Sequence, residues 1–379
     1  MDFRLTEEQK MFRDMVRDFA KNEVEPGAAE RDKKAEFPHD LIKEMGELGL
    51  MGVFIPEEYG GSEADVISYL LAVEELAKAD PGVAVTMSVN NSVCCFPILT
   101  FGTEEQKKKF LPPLASGEVI GGFCLTEPNA GSDAGSLKTK AVKKGDKYVI
   151  NGSKAWITNA GVGKYFVLLA STNPEAGHKG ISAFIVDAES DGFIVDKPED
   201  KMGMRSSKTC MVTLEDLEVP AENLLGKEGM GFKIALTTLN HSRIGIGAQA
   251  LGIAKGAFIE GVRYSTERVQ FGKPIAKQQA IQFKIADMAT KIEAAESLVY
   301  YAGFMDLIGK PDAKLSSMAK MYASETAIFC TYEALQIHGG YGFSKEYKIE
   351  RLYRDARVTT IYEGTNEIQR LVIAKSLLG

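Results

Sequence analysis

The sequence predicts a mainly α-helical protein with a β domain in the middle. Three observations carry this. Apolar residues recur at helical spacing over the first third of the chain. Short β-rich runs between turn residues fill the middle, and helical periods return from Gly229 to the end. The expected domains are a helical domain over 1–118, a β domain over 119–225 and a helical bundle over 226–379.

In the first segment Thr6 and Gln9 have capping-box spacing. Met11, Phe12, Met15, Val16 and Phe19 follow at helical intervals, which predicts an amphipathic helix. IPEEYGG, residues 55–61, is a turn-rich break, and ADVISYLLAVEELAKAD predicts a second amphipathic helix. Thr103 and Gln106 repeat the capping box before a charged helix expected to stop at Pro112–Pro113. In the middle segment YVI runs into Asn151–Gly152, a strong tight-turn signal. YFVLL, ISAFIV and CMVTL predict further strands. The run FKIALTTLNHSRIGIGAQALGIAKGAFIEGVRYSTE predicts long helices packed as a bundle.

Bulk properties narrow the function. A chain of 379 residues can bury a large core without staples. A net charge of −7 repels phosphate backbones and anionic lipid, so nucleic acid is not an expected partner. The cysteines (Cys94, Cys95, Cys124, Cys210 and Cys330) are odd in number and show no C-x-x-C spacing, which argues against a disulfide framework and a zinc site. His39, His178, His241 and His338 are scattered, so no metal is expected. Cysteine usage suits a reducing compartment, the cytoplasm first and an organelle matrix second. MDFRLTEEQK lacks the apolar core of a signal peptide, and no apolar run is expected to reach transmembrane length, so no membrane is expected.

Gly245-Ile-Gly247-Ala-Gln-Ala250 matches the dinucleotide fingerprint G-x-G-x-x-A. That motif needs a strand entering the turn and a helix leaving it. Here ALTTLNHSR continues a helical period, so the small residues read as close approach of two helices. An NAD-linked dehydrogenase stands as an alternative on this motif alone.

Two middle-domain runs can carry chemistry. Phe123-Cys-Leu-Thr-Glu-Pro-Asn-Ala-Gly-Ser132-Asp follows an expected strand and ends in a Gly/Ser loop. Such a loop offers N–H groups and hydroxyls to a polar ring edge or a phosphate, although alone it also reads as a surface turn. Lys154-Ala-Trp156-Ile-Thr158-Asn holds the one tryptophan of the chain. A strand tryptophan is usually core, but Trp156 with Thr158 at i+2 on the same face can flank a flat aromatic cofactor.

LTEPNAGSD, WITN, RVQFGKPI, QIHGGYGF, RDAR and IYEGTNEIQR, in this order and across essentially the whole chain, resemble the acyl-CoA dehydrogenase family and its short-chain, butyryl-CoA-type branch. The resemblance implies an N-terminal helical domain, a β-barrel-like middle domain and a C-terminal four-helix bundle, in a homotetramer. It implies FAD between the middle and C-terminal domains, with part of the site supplied by a neighbouring subunit. On this chain Phe123, Leu125, Thr126, Ser132, Trp156, Ile157 and Thr158 would surround the flavin ring. Arg268, Phe271 and Gln279, with Gln336, Ile337, Gly339 and Gly340, would contact the adenine and pyrophosphate end. A guanidinium at 268 suits this, because it can hold a phosphate in bidentate fashion. Thr365 and Glu367 would close the site.

The implied reaction removes a proton from Cα and a hydride from Cβ of an acyl-CoA, giving the trans-2-enoyl-CoA. The hydride goes to the flavin N5 and the electrons pass on to an electron-transfer flavoprotein. By resemblance Glu363 is the base. Gly364 leaves room for the thioester, and nearby backbone N–H groups can donate to its oxygen. Thr365 is expected to cap the last helix. Tyr362 and apolar walls are expected to disfavour the charged carboxylate and raise its pKa. Alone, Glu363 also reads as a first-turn acid favoured by the helix dipole. Other branches place their glutamate on a C-terminal-domain helix, where this chain has Ser242, so Glu363 is left as base. Asn240 stands where the short-chain branch commonly has an acid that contacts CoA. Asn240, Arg243, Ser132 and Gly364 are carried over as substrate-side residues.

A straight four-carbon acyl group is expected. Branched, alicyclic and glutaryl thioesters are alternatives, because one methylene is worth only ~1–3 kcal/mol of discrimination. An O₂-using oxidase and a non-catalytic helical scaffold complete the alternatives. Oxidases of the family usually carry an extra C-terminal domain, whereas nine residues follow Arg370, so the dehydrogenase is the expectation.

Overall fold

The computed structural model describes residues 4–379. Residues 1–3 of the expected first domain, and with them the start of the N-terminus read as lacking a signal-peptide core, lie outside the described residues. The first helices are α1 (Glu7–Phe19), α2 (Glu25–Lys34), α3 (His39–Glu47), α4 (Val66–Ala79), α5 (Pro81–Val89), α6 (Phe96–Phe101) and α7 (Glu104–Ala115). Polar side chains set their starts. Both capping boxes form, with reciprocal bonds of 3.0 and 3.1 Å between Thr6 and Gln9 and of 3.0 and 3.2 Å between Thr103 and Gln106. The expected stop at Pro112 is corrected: α7 runs on to Ala115, with Ser116 N–H bonding the Pro112 carbonyl at 3.0 Å. The carbonyls that lose their donors to the two prolines belong to Lys108 and Lys109, which are exposed to water.

The middle strands are β1 (Gly121–Cys124), β2 (Lys140–Lys144), β3 (Lys147–Thr158), β4 (Tyr165–Ser171), β5 (Ile181–Asp187), β6 (Phe193–Val195), β7 (Thr209–Pro220) and β8 (Leu224–Leu225). They form one sheet in the order β6-β7-β3-β2-β4-β5-β8, with β1 parallel to β4. The tight turn expected at Asn151–Gly152 is also corrected. Strand β3 continues through it, and the register shifts there as a β-bulge against β7. Asn151 and Asp216 face each other across the bulge: the amide donates to the carboxylate at 2.9 Å, and Asp216 N–H returns a bond at 2.8 Å.

The C-terminal part comprises α8 (Gly231–Glu267), the hairpin β9 (Val269–Gln270) and β10 (Lys273–Pro274), α9 (Gln279–Leu307), α10 (Ala313–His338), α11 (Lys348–Ala356) and α12 (Asn366–Leu378). Residues 245–250 lie inside α8, with no strand before them, so the dinucleotide motif is excluded. A Cβ on Gly245 would stand 2.3 Å from the Tyr69 hydroxyl, and one on Gly252 would stand 2.4 Å from the Glu74 carbonyl. These glycines let α8 seat directly against α4. Helix α4 is consequently buried almost all round, Glu74 and Glu75 included, where an amphipathic helix was expected. The Glu74 carboxylate is paired with Lys78 at 3.0 Å and Lys255 at 2.8 Å and accepts from the Tyr300 hydroxyl.

Pro81–Phe101 is long and apolar enough to cross a membrane, which corrects the reading that no run is. It is almost wholly buried in the protein, and polar side chains explain why it belongs there. Midway, residues 90–95 widen into a π-helical turn that faces two asparagines inward. Asn90 donates to the Met51 and Leu114 carbonyls and accepts from Gly121 N–H at 2.8 Å, which ties β1 to the helices. Asn91 donates to the Leu50 and Met87 carbonyls and accepts from Val53 N–H. The RDAR run is a tie of the same kind: Arg354 forks onto Asp32 of α2, and Asp355 accepts from Met204 N–H. All five cysteines are free and buried, and burial pushes the thiols of Cys94, Cys124 and Cys330 up to about 12.

Replacing Asn91 by Ala strands the Val53 N–H and the Leu50 carbonyl without water. At about 1–3 kcal/mol for each unmet group, the variant should lose about 3 kcal/mol in urea unfolding, with the m-value unchanged.

Candidate active site

Between α11 and α12 the chain places two consecutive residues at left-handed φ, Glu363 at +52° and Gly364 at +92°. Glycine adopts this freely, whereas for a glutamate it costs on the order of 1–3 kcal/mol. Such strain survives only where the surroundings over-determine it. Here the Glu363 carbonyl accepts from Arg243 Nε and from Gln369 Nε2, both at 3.2 Å. The Gly364 carbonyl accepts from Lys320 Nζ at 2.9 Å and Gln369 Nε2 at 2.8 Å. Thr365 then caps α12 through Ile368 N–H.

The Glu363 side chain is half-buried, and its carboxylate accepts a 2.5 Å bond from Ser242 Oγ on α8. Arg243, the next residue on α8, is oriented by Asn240, whose Oδ1 accepts from Arg243 Nη1 at 2.9 Å. Burial pushes the Glu363 pKa up to about 7, while the Ser242 bond and the cations of Arg243 and Lys320 oppose a larger rise. Burial pushes Lys320 down to about 7. Tyr362 does not touch the carboxylate by hydrogen bond. Its hydroxyl donates to Gln249, and its ring packs against Val85, Val89 and Val93.

Phe123 packs on the same three valines, which joins the expected flavin residues to the Glu363 turn. Trp156 is 61% exposed and sits at φ +61° in a bulge of β3. Burial alternates beside it: Ala155 and Ile157 face the core, while Trp156 and Thr158 share the open face. The Ile157 side chain lies in the sheet core, which leaves only its main chain on the ligand side, and there the carbonyl already accepts from Ala160 N–H at 3.3 Å. Leu125 and Thr126 are tied to this bulge. The fully buried Lys154 donates to the Leu125 carbonyl and to Glu127, and Ala155 N–H bonds the Thr126 carbonyl at 2.8 Å. Ser132 lies on an exposed loop.

A second group gathers at the far end of α8. Arg268 lies over the Tyr341 ring at 5.3 Å and, with Ile337, Gly339 and Gly340, lines a shallow cleft of about 550 Å³. Gln279 and Gln336 are exposed nearby in sequence, and Phe271, between β9 and β10, is 93% exposed at φ +53°. Thr365 and Glu367 line another cleft, of about 430 Å³, with Arg357 and Arg370. Trp156, Phe271 and Glu363 are thus all held at left-handed φ. Strain of this kind gathers at ligand sites.

Sequence reasoning missed Lys320 and Gln369 as supports of the turn and took Ser242 only as a vacant position. A signal for Lys320 existed: it stands in SSMAKMYAS, where small neighbours leave a long cation no route to water.

Residues 6–118, 122–217 and 229–378 match the N-terminal, middle and C-terminal domains of acyl-CoA dehydrogenase, respectively. The chain is 51% identical over 374 residues to a short-chain specific acyl-CoA dehydrogenase of Clostridium acetobutylicum, covering 99% of both. It is similar to butyryl-CoA dehydrogenase from Megasphaera elsdenii, with a TM-score of 0.98 and 50% identity over the whole of both chains. It is also similar to a chain in a structure described as the electron transferring flavoprotein of Acidaminococcus fermentans, with a TM-score of 0.99 and 53% identity over the whole of both.

Ser242→Ala removes a donor that favours the ionised carboxylate, so the Glu363 pKa should rise above about 7. The carboxyl infrared band, followed against pH, reads this directly.

Proposed function

This chain belongs to the acyl-CoA dehydrogenase family, and on that premise we propose that it is an FAD-dependent dehydrogenase of short-chain acyl-CoA thioesters, with Glu363 as the base. The observation that carries the reading is the Glu363 turn: a strained, half-buried carboxylate whose pKa is pushed up to about 7, next in the chain to Tyr362, which packs on the same valine cluster as Phe123.

FAD is the family's cofactor, and the residues present fit it. Trp156 holds a large aromatic face in water at a strained bulge, an arrangement with no packing benefit within the chain. Phe123, Leu125, Thr126, Ser132, Ile157 and Thr158 would complete the flavin side, Ile157 through its backbone. Arg268, Phe271, Gln279, Gln336, Ile337, Gly339 and Gly340 would hold the adenine and pyrophosphate, partly across a subunit boundary. Thr365 and Glu367 would close the site. When bound, FAD supplies the hydride acceptor for Cβ.

The chain's own residues do the rest. Glu363 takes the Cα proton of the acyl-CoA, leading to the trans-2-enoyl product. A carboxylate titrating near 7 is a stronger base than one near 4.5, yet it is still substantially ionised at neutral pH. Among the described residues the backbone N–H groups of Glu363 and Gly364 make no bond within the chain, which leaves them to meet charge developing on the thioester oxygen. Arg243 adds positive charge on the substrate side, and Asn240 acts through it. Gly364 is required by the turn itself: its φ is +92°, and a Cβ there would stand 2.7 Å from Gln369 Nε2, the donor that holds its carbonyl. The wall of Val85, Val89, Val93 and Tyr362 suits a short apolar acyl chain.

Electrons would pass to an electron-transfer flavoprotein, a reading supported by the similarity to the Acidaminococcus chain. A homotetramer is supported by the large apolar side chains left uncovered, among them Phe271, Phe283, Phe304 and Leu371. A cytoplasmic enzyme fits the five free thiols.

Glu363→Gln should stay yellow and lose about 10²–10⁴-fold in turnover. In the wild type, kcat/KM should rise with pH through about 7, because the base works only after losing its proton. Bleaching of the flavin by a panel of straight, branched and dicarboxylic acyl-CoAs should peak at butyryl-CoA; a peak at a branched or glutaryl thioester would replace the four-carbon reading.

A further inference from the structure

We propose that Lys320 is a positioning residue for the reaction: with Gln369 it grips the Gly364 carbonyl, holds the left-handed turn in place and so aims Glu363. This rests on the reading of Glu363 as the base.

Lys320 has no exposed surface. It rises from α10 between small residues (Ser316, Ser317, Ala319, Ala323 and Ser324) and ends against the catalytic turn. Its two acceptors both belong to that segment, the Gly364 carbonyl at 2.9 Å and Asn366 Oδ1 at 3.0 Å. Asn366 opens α12 and is itself fixed by Ser324. Both acceptors are neutral, so the ammonium has no carboxylate bonded to it. The charge influences Glu363 through space, together with Arg243 from α8. The other charged groups around Lys320 are Glu367 of α12 and Glu325 of α10, while Tyr69 and Tyr362 face Glu363.

Two roles follow and they separate. An amine donates to a carbonyl whether charged or neutral, so the grip persists in both protonation states. Only the charged form favours ionised Glu363. Gln369 shares the grip but carries no charge. A buried lysine needs acceptors in any role; what marks Lys320 is that both of its acceptors lie on the segment that carries Glu363.

The test uses purified holoenzyme variants with butyryl-CoA and a dye acceptor. Lys320→Met should keep its flavin absorbance, lose at least about tenfold in kcat with KM within about threefold, and move the acid limb of kcat/KM up by about one pH unit. Gln369→Met should lose kcat with the limb unmoved. Lys320→Arg should bring the limb back. Wild-type kcat and limb in Lys320→Met would overturn the proposal, and so would a fall in kcat with no movement of the limb. Should Lys320→Met not fold, Gln369→Met decides: a fall in kcat at constant KM supports the grip, and an unchanged kcat overturns it. Glu363→Gln is run alongside. If that variant turns over, the base assignment fails; if it is dead while Lys320→Met behaves as wild type, only the present proposal fails.

Discussion

Close seating of α8 is the constraint on which the site depends. At 1.5 Å per residue its 37 residues span about 55 Å, and most of its middle is buried on every side. The helix reaches that depth because glycine stands wherever a neighbour comes near: Gly245 against the Tyr69 hydroxyl, Gly247 against Val299 and Gly252 against the Glu74 backbone. Ser242 and Arg243 lie within the turn before the first of these contacts and Gln249 about one turn after it. With the backbone this deep, a side chain as short as serine reaches the Glu363 carboxylate, and Gln249 meets the Tyr362 hydroxyl. Any displacement of α8 outward would withdraw all three together.

The turn at Glu363 is a balance of unfavourable terms held by hydrogen bonds. Left-handed φ and burial both cost free energy, and burial also favours the neutral acid. Two backbone carbonyls of the turn are held by three side chains drawn from α8, α10 and α12, so the conformation is set by the packing of three helices and not by local preference. The same contacts bring Arg243 and Lys320 close enough to limit the rise in pKa. Position and basicity are therefore set by one group of residues.

Much of this was legible in the sequence. Both capping boxes, the main strands, the long helices and the helical context of Gly245 and Gly247 follow from local patterns. Pro112, Asn151–Gly152, α4 and Pro81–Phe101 were misjudged for one reason: each outcome depends on what packs alongside. A proline pair is tolerated where the orphaned carbonyls reach water, and an Asn-Gly pair becomes a bulge when a partner strand carries a matching Asp216. Helix α4 buries its carboxylates because Lys255 and Tyr300 arrive from distant segments. The site follows the same rule. Glu363 and Trp156 stood out through motif resemblance, whereas the donors that hold the turn come from 5 to 120 residues away and meet it only in the fold.

The buried thiols carry a last consequence, for chemical durability. Peroxide attacks the thiolate and scarcely touches the protonated form. A thiol titrating near 12 is thiolate in only about one molecule in 10⁵ at pH 7. The fold therefore keeps these thiols both protonated and out of reach of an oxidant in solution.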